Sequence, residues 1–149
     1  MALRLSQGLR NGLLGSNSVK SLLDGGNIRV YTGSQPASPE AIETGTLLVT
    51  VGATTGGTGG LTWGTASSGG LSKNAAQWSG TCSVAGVAGW FRCYDNKVFT
   101  GSDGAGTAAR FDGDIGTVTG DLRLSSTTLA VSVPVILDTA AFSIAQNQS

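Results

Sequence analysis

IRVYTGSQPASPEA, residues Ile28 to Ala41, opens as a strand and then breaks. Ile28, Val30 and Thr32 alternate with Arg29 and Tyr31, the period-2 pattern of a strand. Gly33, Ser34, Pro36, Ser38 and Pro39 follow at once and cannot continue a central ladder. A strand running into a polar, proline-bearing loop is the signature of a turn-rich β protein. Downstream of Gly26 the same alternation returns in short pieces, separated by Gly and Asn clusters. It predicts strands at about 28–32, 46–52, 61–65, 77–84, 88–95, 109–115, 120–124, 127–133 and 135–144. No helical crossovers are available to build parallel βαβ units, so the expected fold is all-β, a β-sandwich or jelly-roll-like domain.

The totals agree. The chain has 149 residues, enough for one domain with a real core, and 24 of them are Gly. Nine Lys and Arg balance nine Asp and Glu, so no basic excess points to nucleic acid. The long glycine-rich tips GATTGGTGGLTWG and YDNKVFTGSDGAGTAARF read as loops. Pro134 interrupts the last apolar stretch and marks an edge strand or a bulge.

The N-terminal region reads differently. Leu5, Leu9 and Leu13 recur at every fourth residue, a helical stripe, within residues 2–24. Ser16 to Ser18 can cap a second short helix that ends at Gly25-Gly26. The expected organisation is a helical arm over 1–26 and a β domain over 27–149. The arm packs on its own sheet or docks on a neighbour, with Arg4, Arg10 and Lys20 meeting acidic groups. Arg4, Gln7, Arg10 and Asn11 interrupt any signal-peptide apolar run, and no run approaches the roughly 18 apolar residues of a membrane span. Assembly in the cytoplasm, with no membrane partner, is the expectation.

Candidates for chemistry are few. The chain has no His to serve as a base or to complete a zinc site with its two cysteines. Cys82 and Cys93 flank SVAGVAGWFR; with a turn at Gly86 to Gly89 they would face each other across a hairpin. They are then either reduced core residues or a cross-strand disulfide. DGDIGTVTGD carries Asp112, Asp114 and Asp121 but lacks the ligands of a calcium loop. Glu40 with Glu43, or Asp112 with Asp114, has the composition of a carboxylate pair, without an aromatic cleft around it. The expectation is no catalytic residue, no cofactor and no metal.

Four stretches in order carry a resemblance: the leucine-rich start with LLDGGNIRVYTGSQPASPEAIETGTLLVTV, then AGWFRCYD, then FDGDIGTVTGDLRLSSTTL, then VPVILDTAAFSI. This order resembles a group of small structural proteins of tailed bacteriophages, over nearly the whole chain. The two cysteines and Pro134 depart from the pattern. The resemblance implies a virion component, with the major capsid protein or other virion proteins as partners and a homo-oligomer as its state. The foremost expectation is a capsid decoration or cement protein. Its contacts would come from Leu5, Leu9, Arg10 and Leu13 of the arm and from Gly33, Ser34, Gln35, Pro36 and Pro39 of the loop. A tail, neck or connector subunit is the alternative. A host-surface carbohydrate module, stacking sugars on Trp63, Trp78 or Trp90, is the alternative from another class.

Overall fold

A computed structural model describes residues 3–54, 56–97 and 100–143. The fold is all-β with a short helical arm. After a two-residue strand β1 (Arg4–Leu5) come helices α1 (Gln7–Leu14) and α2 (Val19–Leu23), then β2 (Asn27–Thr32) and β3 (Leu47–Val51). The chain continues through β4 (Gly70–Ser72), β5 (Trp78–Thr81), β6 (Gly86–Tyr94) and β7 (Arg110–Gly116). It ends in four short strands: β8 (Leu122–Arg123), β9 (Thr128–Leu129), β10 (Pro134–Leu137) and β11 (Ala141–Ser143).

One seven-stranded sheet dominates, in the order β1-β7-β6-β2-β3, with β8 on β7 and β9 on β6. Its ladders are antiparallel except β7–β8. Two small ladders, β10–β5 and β11–β4, complete the fold. Side chains alternate across a strand, so one face of the large sheet carries Ile28, Val30, Val49, Val51, Phe91, Cys93 and Phe111. These join Leu71, Trp78, Val135, Leu137 and Phe142 of the small ladders in one apolar core. The arrangement is sandwich-like, with the core between the large sheet and the small ladders.

The arm belongs to the same core. Ser6 caps α1 by accepting from the Leu9 amide, and Ser18 and Ser21 form a reciprocal capping box on α2. Leu9, Val19 and Leu23 are buried in the common cluster, and Leu5 and Leu13 pack against it. The helical stripe expected from Leu5 onward therefore starts two residues late. Leu5 lies in β1, opposite Phe111, because pairing with β7 satisfies its backbone where a helix would leave it open.

Most expected strands are present, with shifted ends. The stretch 61–65 contributes only an isolated bridge, Trp63 to Lys73, while the unexpected β4 forms at 70–72. The expected strand 135–144 divides at Asp138 into β10 and β11, and its last residue lies outside the described range. Pro134 opens β10, which among the described residues forms a ladder with β5 alone, where a missing N–H costs little.

Candidate functional site

The second face of the large sheet is the unusual one. The residues that alternate with the core are Arg29 and Tyr31 on β2, Trp90, Arg92 and Tyr94 on β6, and Arg110, Asp112 and Asp114 on β7. Register places Arg29 opposite Arg92, Arg92 opposite Asp112, and Asp112 opposite Arg4. Such a face normally meets water. Here Trp90, Arg92, Arg110 and Asp112 are all 0% exposed.

The loop that follows the opening strand covers them. Residues 33–46 fold back as a strap whose two legs are tied by the Thr44 hydroxyl donating to the Ser34 carbonyl at 2.7 Å. Several of the strap's polar groups bond to the sheet beneath. Gln35 Nε2 donates to Asp112 Oδ1 at 2.6 Å, and Trp90 Nε1 donates to the Thr44 carbonyl at 3.2 Å. Arg92 donates to the carbonyl of Ala41 at 2.9 Å, to Glu43 at 3.3 Å and to Asp112 Oδ2 at 2.9 Å. Arg4 reaches in from β1, donating to Asp112 at 3.2 Å and to the carbonyls of Pro36 and Ala37. Two glycines make the close approach possible. A side chain on Gly45, at φ +80°, would sit 2.0 Å from the Thr32 carbonyl, and one on Gly89 would sit 2.0 Å from the Gly33 carbonyl.

Glu43 is the hub at the strap's far end. It accepts from the Tyr94 hydroxyl at 2.7 Å and the Gly101 amide at 2.8 Å, while Tyr94 meets the Tyr31 hydroxyl at 3.1 Å. Burial alone would raise the Glu43 pKa; the Tyr94, Gly101 and Arg92 donors outweigh it and hold the carboxyl below the usual range. Burial, then the contacts to Tyr31 and Glu43, push the Tyr94 phenol strongly up. Glu40 is likewise lowered, against its burial, chiefly by the Gln7 amide that donates to it at 2.6 Å. Buried charges are tolerated when paired and hydrogen-bonded, and Arg92 is paired with both Asp112 and Glu43, although among the described residues its buried Nε and Gln35 Oε1 have no hydrogen-bond partner. The paired charges are directed at one another and largely shielded from solvent.

The residues singled out from sequence divide accordingly. Leu9, Gln35, Pro36 and Pro39 are buried in the chain's own fold, and Leu5 and Leu13 are half-buried. Arg10, Gly33 and Ser34 remain exposed. Cys82 and Cys93 are both buried and free, so the disulfide does not form. The reason is local: Gly86–Gly89 is not a turn but the start of β6. Cys93 pairs with Ile28 and Phe111, while Cys82 brackets Ser132 and Val133. Burial pushes both thiols up. Trp63, Trp78 and Trp90 are interior, at 3%, 0% and 0% exposure, so they present no sugar-stacking surface of the kind the carbohydrate-module alternative requires. Asp114 and Asp121 bracket the β7–β8 turn, each carboxylate accepting from the other's amide at 3.0 and 3.3 Å. The Asp121 amide holds Asp114 below its ordinary range, and burial with the Asp114 neighbour raises Asp121. Among the described residues no three potential metal ligands cluster, and no helix is long and apolar enough to cross a membrane.

Among the exposed large apolar residues, Leu14, Ile42 and Val118 stand on separate segments, while several valines lie on neighbouring ones. The start of β6 pairs with β9, placing Gly86 against Leu129 and Val87 against Thr128. Cys82 donates to the Val133 carbonyl and accepts from the Ser132 amide. These pairings bring side by side the segments that carry Val84, Val87, Val131 and Val133, which are 41%, 57%, 55% and 43% exposed. Ile136 continues the exposed side of β10. Beside it runs a groove of about 300 Å³ whose walls include Leu124, Leu129, Val133 and Ile136. Nothing in the local sequence marks this patch; single valines among serines become a surface only through the β6–β9 pairing. Against family models, curated proteins and solved structures, the chain finds no match.

Proposed function

We propose that this chain is a structural subunit of a tailed-bacteriophage virion, a decoration or cement protein that binds the assembled head. The ordered motifs supply the class. The observation that carries the reading furthest is the set of exposed valines, Val84, Val87, Val131 and Val133, on neighbouring segments beside a groove of mixed polar and apolar lining. Contiguous exposed apolar residues mark protein-contact sites, whereas the charged groups at the centre of the sheet are shut under the strap. The partner is the major capsid protein or another virion protein, and the subunit acts as a homo-oligomer, assembled in the host cytoplasm. The role is structural and not catalytic.

The mechanism is linkage: a protein that binds the assembled lattice but not its dissociated subunits stabilises the lattice. Repetition over many copies turns a modest contact into a durable one. The strap serves this role by making the domain rigid, so that little ordering cost accompanies docking. A titration onto emptied, expanded heads that lack the protein tests the reading, with stoichiometry read by sedimentation and followed by heat challenge. Saturation at hundreds of copies with a raised melting temperature supports it. No binding to heads, with a few copies recovered on isolated tails or necks, moves the subunit to the tail.

A further inference from the structure

Among the described residues β10 is the outer strand of its ladder, and the groove of about 300 Å³ runs along its edge. Side chains alternate between the two faces of a strand, so a groove over one face meets every second residue. This groove is lined by Pro134, Val135, Ile136 and Leu137 in succession, although Val135 and Leu137 are buried and Pro134 and Ile136 are exposed. Only an edge presents consecutive residues to one opening. The far wall is drawn from residues 123–129, which belong through β8 and β9 to the large sheet. The opening is therefore a slot between the large sheet and the β10–β5 ladder.

The phase of the hydrogen bonds determines what this edge carries. In an antiparallel ladder each residue either exchanges two bonds with the residue opposite or turns both backbone groups to the other side. Ser79 stands opposite Ile136 but gives its amide and its carbonyl to Gly52, both at 3.0 Å. The bonded pairs of the ladder are then Val135 with Gly80 and Leu137 with Trp78. The amide and carbonyl of Ile136 face the slot, and among the described residues no protein group bonds to either. Pro134 shares the phase of Ile136, so it offers the slot a carbonyl and no N–H. The charged residues of the lining are Arg123 and Asp138, opposite in sign.

We propose that the slot takes an extended, uncharged segment of a partner polypeptide, added to β10 as a further strand. The residue opposite Ile136 exchanges two hydrogen bonds with it, and the Pro134 carbonyl accepts a third from further along the segment. Side chains flanking the paired residue turn to the side of Val135 and Leu137, beside the buried Leu124 and Leu129, and so are apolar. Arg123 and Asp138 offset each other, which leaves a charged segment nothing to gain. The β10 edge of a second copy does not fit, because its own 123–129 wall stands before it and the slot has room for a single strand. This is a mode of contact, and it holds or fails separately from the virion reading.

Acetyl-Ser-Val-Thr-Val-Ser-amide is the probe, and the same peptide N-methylated at Thr is the matched molecule without the paired N–H. Titration of the whole protein is followed by ¹H–¹⁵N spectra and amide hydrogen exchange. The expected result is a saturable change centred on the Ile136 amide, whose exchange slows at least about tenfold. The N-methyl peptide binds at least about fivefold more weakly. Ile136→Pro, which removes the edge N–H and neither bonded pair with β5, weakens the probe by a similar factor while the spectrum stays dispersed. The wild-type comparison of the two peptides decides even where that variant does not fold. The proposal is overturned by the absence of a saturable change up to the solubility limit, or by equal affinity for the two peptides. It is also overturned by an Ile136 amide already protected in the free protein, the result expected if residues 144–149 or a second copy occupied the edge.

Discussion

Asp112→Asn is the sharpest test of the strap network. The substitution keeps the shape of the side chain and removes its charge. In the native fold the carboxylate accepts from Gln35 at 2.6 Å, Arg92 at 2.9 Å and Arg4 at 3.2 Å. The Arg92–Asp112 pair has both side chains at 0% exposure, whereas the Arg4 side chain is 25% exposed. Screening makes the Arg4 contact the lesser one. Removing one partner of a fully buried pair costs about 3–5 kcal/mol, because the other charge stays behind. For a chain of this length each kcal/mol moves the melting temperature by roughly 2–4 °C, so a fall of about 10 °C is expected. Urea unfolding monitored by tryptophan fluorescence gives the free energy, and adding Arg92→Met completes a double-mutant cycle. The expected coupling between the two positions is about 1–3 kcal/mol. A loss below about 1 kcal/mol for Asp112→Asn, with additive effects in the cycle, would refute the claim that this pair organises the second face.

Three further outcomes are expected. Glu43 has its pKa lowered in the fold, so its contribution is fully present above the unfolded value of about 4.3 and is lost as pH falls through the folded value; wild-type stability should drop below about pH 4.5, and Glu43→Gln should flatten part of that drop in urea titrations. Leu9→Ala, at a side chain 0% exposed, should cost about 2–5 kcal/mol in the same assay; a neutral result would mean that the arm is not part of the core. Cys82 and Cys93 should resist a thiol-reactive dye in the native protein and both react in urea, with reductant leaving the melting temperature unchanged.

The opening stretch shows how far the sequence could be read and where it stopped. Strand β2 was legible because one face is apolar at every second residue. The loop after it was legible as a loop because its glycine and prolines exclude a ladder. What that loop covers was not. Arg29, Tyr31, Trp90, Arg92, Tyr94 and Asp112 alternate with apolar residues just as a solvated face would. Only the folding back of the next loop, the strap, makes Tyr31, Trp90, Arg92, Tyr94 and Asp112 interior. The cysteine hairpin failed for a related reason. Gly86 and Gly89 read as turn residues, yet they stand where side chains would meet Leu48 and the Gly33 carbonyl. They are small to let the strand and the strap approach, not to reverse the chain. The valine patch was illegible altogether, since its members come together only through the β6–β9 ladder and the bracketing by Cys82.

The most direct measurement is the head titration run side by side with wild-type protein and Val87→Lys/Val133→Lys. Both substituted side chains are exposed, so folding stability should change by no more than about 0.5 kcal/mol each. The account predicts saturable binding of the wild type at hundreds of copies per head and its loss in the variant, with identical circular dichroism. Equal binding of the two proteins, or none by either, would contradict it.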